Sequence, residues 1–233
     1  PRDWHGQNIV LNFGAVDWQA RVYVNGTLAG SHTGGYTPFS IDITSYLNGD
    51  GEQTLELAVT DPSDRGYQPR GKQVADPNGI WYTSVSGIWQ TVWLEPVSAN
   101  HITAVKAIPD LAENVIRTTV STSGQSTASR LSITLLEQGK IIAETTAAAG
   151  EEVLIPVANP QLWSPDSPFL YDLRITLTHN GRTMDQVASY TAMRSIGKVQ
   201  DAHGIWRMTL NGKPVFQYGP LDQGWWPDGL YTA

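Results

Sequence analysis

Arg21-Val22-Tyr23-Val24-Asn25-Gly26 reads as a β-strand running into a hairpin turn. Period two puts Val22 and Val24 on one face and Arg21 and Tyr23 on the other. Asn and Gly tolerate the positive φ that a type I′ turn demands at both central positions. Turn signals of the same kind return at Asn48-Gly49, Asn180-Gly181 and Asn211-Gly212. Alternation returns as well: Leu55, Leu57 and Val59 interleave with Glu56 and Ala58. From Ile88 to Glu95, one face carries Ile88, Gln90, Val92 and Leu94, and the other carries Trp89, Thr91 and Trp93. Bulky residues on both faces predict a strand covered on both sides. No segment of a dozen residues carries helical periodicity, and Ala147-Ala148-Ala149-Gly150 is too short to nucleate a helix alone.

The 233 residues suffice for two domains of ordinary size. Pro96-Val97-Ser98 reads as the break between them. Beyond it, strands are expected at 102–108, 115–120, 131–136, 153–157, 171–177 and 187–193. Six or seven strands in roughly 100 residues suit an immunoglobulin-like sandwich. From Val199 onward the texture turns rich in Gly, Pro and Trp. The fold expected is therefore all-β, with boundaries at 1–97, 98–198 and 199–233.

Composition narrows the function classes. Apolar residues make up 40% and charged residues 16%, as in a globular chain. A net charge of -7 argues against a nucleic-acid partner, because phosphate binding needs a basic face. No stretch approaches the roughly 20 apolar residues of a membrane span. With no cysteine, disulfides and thiolate metal sites are excluded. Nine Trp and nine Tyr against four Phe suit sandwich cores, interfaces and sugar-binding surfaces alike.

The motifs of catalysis are missing. Glycoside hydrolysis needs two carboxylates flanking one bond, yet the acidic residues fall mostly in strands and turns, and no pair has a catalytic spacing. His5, His32, His101, His179 and His203 lie at turns and strand ends. No Gly-x-Ser-x-Gly elbow and no metal-ligand spacing occurs. The stretch from Asp61 to Ser86 is the long irregular loop, and such loops are often functional. It holds Arg65, Tyr67, Arg70, Lys72, Asp76, Asn78, Trp81 and Tyr82, which suit either contact with a polar sugar ring or packing on a neighbouring domain.

Several stretches resemble glycoside hydrolase family 2. Gly14-Ala15-Val16-Asp17-Trp18, Val24-Asn25-Gly26 and Gly34-Gly35-Tyr36-Thr37-Pro38-Phe39, followed by Asp42-Ile43-Thr44, look like its N-terminal sugar-binding jelly roll. Ser86-Gly87-Ile88-Trp89-Gln90-Thr91-Val92-Trp93-Leu94-Glu95 is similar to the closing strand of that domain. Asn159-Pro160-Gln161-Leu162-Trp163-Ser164-Pro165-Asp166-Ser167-Pro168 with Leu170-Tyr171 resembles the hallmark of the immunoglobulin-like domain. Leu210-Asn211-Gly212-Lys213-Pro214 resembles the approach to the catalytic (β/α)8 barrel.

The resemblance implies a jelly roll at 1–97, an immunoglobulin-like sandwich at 98–198 and a barrel entry segment at 199–233. It implies a retaining β-glycosidase of β-galactoside or β-glucuronide type. The two catalytic glutamates would lie on barrel strands beyond Ala233, and the first jelly-roll strands would precede Pro1. The chain itself is then expected to be catalytically inactive and to take no cofactor or metal. Its partner is a carbohydrate, engaged through the barrel, with no nucleic acid or membrane, and a homo-oligomer is compatible. In the whole protein Asp222, Trp225, Trp226 and Asp228 are expected to line the sugar pocket, with Asp76, Trp81 and Tyr82 from the long loop. Family habit implies a periplasmic or extracellular location. Two alternatives stay open: a stand-alone carbohydrate-binding module, and a structural or adhesive sandwich protein.

Overall fold

A computed structural model describes residues 2–124, 128–221, 223–226 and 228–232. The chain divides into two compact units, Pro1–Val97 with Pro220–Ala233, and Ser98–Gly219. Among the described residues the regular structure is strands and two 3-10 turns, and no helix is long and apolar enough to cross a membrane.

In the first unit, Asn8–Phe13 lies between Val92–Val97 and Phe39–Asp42, and Gln19–Val24 lies between Thr27–Thr33 and Leu55–Thr60. Gln19–Val24 buries alternate residues, as the pleat requires, and Asn8–Phe13 buries Ile9, Leu11 and Phe13 on one face with Asn12 buried as well. Ile9, Leu11 and Phe13 from one sheet and Ala20, Val22 and Val24 from the other share a single core with Val16 and Ile43. Phe13 stacks on Phe39 at 4.6 Å. The hairpin at Asn25-Gly26 has φ of 49° and 79°, the left-handed pair expected of a type I′ turn.

The stretch 88–95 is not one strand. Gly87–Ile88 pairs with Val16–Asp17, and Val92–Val97 pairs with Asn8–Phe13. Between these ladders Gly14 and Ala15 face Trp89, Gln90 and Thr91, so one side carries an extra residue and the strand bulges. A Cβ at Gly14 would come within 2.7 Å of Gln90 Cβ, so the bulge needs glycine there. Nor is the stretch covered on both faces. Val92–Val97 is an edge strand, and Trp93 and Leu94 remain 41% and 45% exposed.

The second unit pairs a three-stranded sheet (Ile102–Asp110, Val115–Thr122, Glu152–Pro156) with a four-stranded one (Lys140–Ala147, Ser129–Glu137, Tyr171–His179, Arg182–Thr191). Every pairing in them is antiparallel. Three strands plus four is the count of a constant-type immunoglobulin sandwich. Ile116, Val120 and Ile155 of one sheet meet Leu131, Ile133, Leu135, Leu173, Ile175 and Leu177 of the other. Tyr171 is buried at one end, where its hydroxyl accepts the Gln161 N–H at 2.8 Å. Next to that arch Arg194 lies over the Trp163 ring at 4.7 Å. A further sheet, Ile196–Gln200, Trp206–Leu210 and Lys213–Pro214, is fastened through Asn211, whose Nδ2 donates to Trp163 O at 3.0 Å.

Candidate functional site

The bulge turns the Trp89 side chain inward, and its indole N–H donates to Gly35 O at 2.7 Å. Gly35 has no room for a side chain: a Cβ would sit 2.5 Å from Asp17 Oδ1. Asp17 itself, on the two-residue strand paired with Gly87–Ile88, is only 4% exposed. The Gly34-Gly35 turn and the bulge therefore enclose a carboxyl group from two sides.

Tyr231 closes the third side. Its hydroxyl lies 3.4 Å from Asp17 Oδ2 and 2.8 Å from the Tyr36 hydroxyl, and it accepts a hydrogen bond from Gln73 Nε2. The rings of Trp89 and Tyr231 are 4.7 Å apart. Burial, with the charge of Asp61 added, pushes Asp17 up to about 6, and the hydrogen bond from Tyr231 only partly offsets this. Burial and the bond to Tyr36 push the Tyr231 phenol upward, so it remains a proton donor at every physiological pH.

The Asp61–Ser86 loop is held by its own side chains. Gln68 and Gln73 are buried. Gln68 Nε2 donates to Ser63 O at 2.8 Å; Gln73 Nε2 donates to Arg70 O at 3.0 Å, and Gln73 Oε1 accepts Val85 N–H at 2.7 Å. Asp61 accepts from Ser63 N–H at 2.8 Å and from Ser86 Oγ at 2.6 Å. These bonds bring Gln73–Val74 beside Tyr82–Thr83 as a short parallel ribbon. Tyr82 then stacks flat on Trp225, centroids 5.0 Å apart and planes 11° off parallel, and its hydroxyl donates to Gln223 Oε1. Trp225 in turn meets Tyr231 edge-on at 5.5 Å.

Of the residues expected at the sugar pocket, the structure thus joins Tyr82 and Trp225. Trp226, 46% exposed, opens a turn that its paired backbone bonds to Leu230 close, at 2.8 and 3.1 Å. Asp228 lies exposed inside that turn and accepts the Gly229 N–H at 2.9 Å. Asp76 and Trp81 sit near the tip of the long loop, Asp76 exposed and Trp81 42% exposed. Asp222 lies outside the described residues. Sequence reasoning missed Asp17, Tyr36, Gln73, Trp89 and Tyr231. Asp17, Tyr36 and Trp89 stand inside stretches singled out for their resemblance, but nothing local to them signals the approach of Tyr231.

Two neighbouring carboxylates, one with a raised pKa, are what a glycosidase uses. Asp17 and Asp61 do not have the access that role needs. Asp17 is sealed beneath Gly35 and Tyr231, and both oxygens of Asp61 accept hydrogen bonds from Ser63 and Ser86. With Asp17 buried, the pair does not present two carboxylates to one sugar bond. Among the described residues no group of three His, Asp or Glu could hold a metal ion. The exposed rings that could stack on a sugar include Trp226, Trp81 and Tyr67, the last 94% exposed.

Comparison with known proteins gives the family. Residues 1–96 match the family model described as glycosyl hydrolases family 2, sugar binding domain, and residues 100–194 match that of glycosyl hydrolases family 2. A β-galactosidase of Thermoanaerobacter pseudethanolicus is 29% identical over 91% of this chain and 29% of its own length. A putative β-glucuronidase of Formosa agariphila is 29% identical over 90% of this chain and 25% of its own. The chain therefore spans between a quarter and a third of these curated relatives. A solved β-glucuronidase from Ruminococcus gnavus superposes over 100% of this chain and 40% of its own, with a TM-score of 0.82 at 22% identity.

Proposed function

Since the chain belongs to glycosyl hydrolases family 2, we propose that it is the non-catalytic accessory region of an enzyme hydrolysing O-glycosidic bonds in carbohydrate. The names of its relatives support a β-galactoside- or β-glucuronide-type substrate. In this reading the two sandwiches are scaffold, and the 223–232 segment supplies part of the sugar-pocket wall through Trp225, Trp226 and Asp228. We infer a periplasmic or extracellular location, because polysaccharide substrates are met there.

The observation that carries the non-catalytic reading is the burial of Asp17, 4% exposed, beside an Asp61 whose two oxygens already accept hydrogen bonds. The test is to incubate the purified 233-residue chain with aryl β-galactosides and aryl β-glucuronides. No turnover is expected. Turnover abolished by Asp17→Asn would falsify this reading.

The exposure of Tyr67 and Trp81 on the long loop favours a second reading, a carbohydrate-binding module in its own right. Calorimetric titration with galactosides, glucuronides and plant oligosaccharides separates the two. Heat at millimolar sugar that disappears in Trp81→Ala supports the module, and no heat removes it.

A further inference from the structure

The long loop and the 223–232 segment meet through side chains that form a closed circuit. Tyr82, from the loop, stacks on Trp225 and donates to Gln223 Oε1, while Gln73, also from the loop, donates to the Tyr231 hydroxyl. On the loop side Gln73 pairs with Tyr82 across the short ribbon, and Lys72 O accepts the Tyr82 N–H at 2.9 Å. On the segment side Trp225 meets Tyr231 edge-on at 5.5 Å. The turn that presents Trp226 and Asp228 ends at Leu230, one residue before Tyr231.

Gln73 is oriented independently of Tyr231. It is 4% exposed, its Oε1 accepts the Val85 N–H at 2.7 Å, and its Nε2 donates to Arg70 O at 3.0 Å. Both partners are backbone groups of the loop. Because the side-chain amide is planar, these two bonds fix where its second N–H points, and the Tyr231 hydroxyl lies there. A donor already held in place loses little freedom when its bond forms. The other partners of that hydroxyl, Tyr36 at 2.8 Å and Asp17 at 3.4 Å, stand on the glycine turn and on a strand. Of these three partners, Gln73 is the one that belongs to the long loop.

We propose that Gln73, acting through Tyr231, is a positioning residue for the 223–232 segment, and that it joins this segment and the 61–86 loop into one cooperative unit. The role of that unit in shaping a sugar pocket rests on the reading of the segment as pocket wall; the coupling itself does not. If the segment leaves, the fixed N–H of a buried amide loses its partner. If the loop loses its order, Tyr231 loses a preset donor and Trp225 loses the Tyr82 ring. Coupling of this kind is reciprocal: whatever Gln73 contributes to the order of the segment, Tyr231 contributes to the order of the loop. The tryptophans at 225 and 226 are then placed by a loop some 140 residues earlier in the chain.

The test is hydrogen exchange in the 233-residue chain, read in both stretches. The Trp226 and Leu230 amides, each bonded to the other's carbonyl, report the segment, and the Val85 amide, bonded to Gln73 Oε1, reports the loop. The Leu11 and Val22 amides serve as reference for the fold. Tyr231→Phe keeps the ring and removes only the hydroxyl. It should lower protection roughly tenfold at Trp226 and Leu230 and, by reciprocity, lower it at Val85, with the core amides unmoved. Gln73→Met keeps an unbranched side chain of similar length without the amide, and it should also lower protection at Trp226 and Leu230. In the Tyr231→Phe background, Gln73→Met should cost those two amides nothing further, because the shared bond is already gone.

A glutamine that serves only its own loop gives a different pattern. Gln73→Met would then expose Val85 while Trp226 and Leu230 stayed protected, and Tyr231→Phe would leave Val85 untouched. Either result overturns the proposal, and so does full additivity in the double variant. Should Gln73→Met also unfold the core, the Val85 readout in Tyr231→Phe still decides. No sugar enters the measurement, so the coupling can fail while the glycosidase reading stands, or hold while that reading fails.

Discussion

The hydroxyl of Tyr231 sits 3.4 Å from the carboxyl of Asp17, although 214 residues separate them in the chain. The contact ties the 220–233 stretch to the first unit, so this unit is closed by two distant parts of the sequence.

The burial of Asp17 has a signed consequence for stability. Its folded value, about 6, exceeds the ordinary carboxyl value of 3.8, so folding favours the protonated form. The contribution is fully present below about pH 4 and is lost as pH rises through 6. Asp110 and Asp201 act in the opposite sense, because hydrogen bonds from Arg117 and from the Ile205 amide hold them below the usual range. Comparing Asp17→Asn with the wild-type chain cancels those terms. The variant should melt higher than wild type at pH 7.5, with the gap closing by pH 4.5. A constant gap in the thermal melts would sink the assignment.

Gly35 should be as intolerant as its surroundings imply. A methyl there would lie 2.5 Å from Asp17 Oδ1 and 2.9 Å from Cγ, and a short buried side chain cannot swing aside. Gly35→Ala should cost about 1–3 kcal/mol, the usual penalty for overpacking. Adding Asp17→Ala removes the obstructing atoms, so the double variant should recover part of the loss. Urea unfolding of the three variants checks this, and strict additivity would count against the steric account.

The Tyr82–Trp225 stack should appear as a coupling energy. Offset or stacked aromatic pairs contribute about 0.5–1.5 kcal/mol beyond area burial. A cycle of Tyr82→Ala, Trp225→Ala and the double variant, read by chemical denaturation, should return a value in that range. Zero coupling would mean that the two rings are held independently.

Much of the fold was legible because its signals are local. Asn25, Asn180 and Asn211 each adopt a φ near 50° ahead of a glycine at positive φ, and each closes a two-residue hairpin. Asn48 does not, although Gly49 does, and its amide N–H bonds Gln53 Oε1 instead. The stretch 88–95 alternates without a break, so nothing in its pattern announced the extra residue opposite Gly14 and Ala15. The site was less legible for a related reason. Tyr82 and Trp225 stood out by type, whereas Asp17 and Tyr231 acquire their roles only through a contact that no periodicity encodes. The loop looked irregular because its order comes from Gln68 and Gln73 bonding to backbone, not from an alternating strand.

In the two sandwich sheets of the second unit one strand escaped notice, and the reason for it yields a prediction. Lys140–Ala147 is joined to Ser129–Glu137 by Gln138-Gly139, whose φ values of 50° and 81° match those of the Asn-Gly hairpins. Glutamine does not advertise such a turn, because its longer side chain gains nothing from the left-handed region, which costs an ordinary residue about 1–2 kcal/mol. Asparagine enters that region far more readily. Gln138 is exposed, so replacing it disturbs no core contact. Gln138→Asn should therefore stabilise the second unit by about 0.5 kcal/mol, a fraction of that cost. For a unit of this size the gain corresponds to a rise in Tm of roughly 2–4 °C. Gly139→Ala should move the midpoint the other way, since alanine must adopt the same positive φ without the freedom of glycine. Calorimetry on both variants decides the matter: a rise for one and a fall for the other follows from the turn geometry, and an unchanged midpoint in both would refute it.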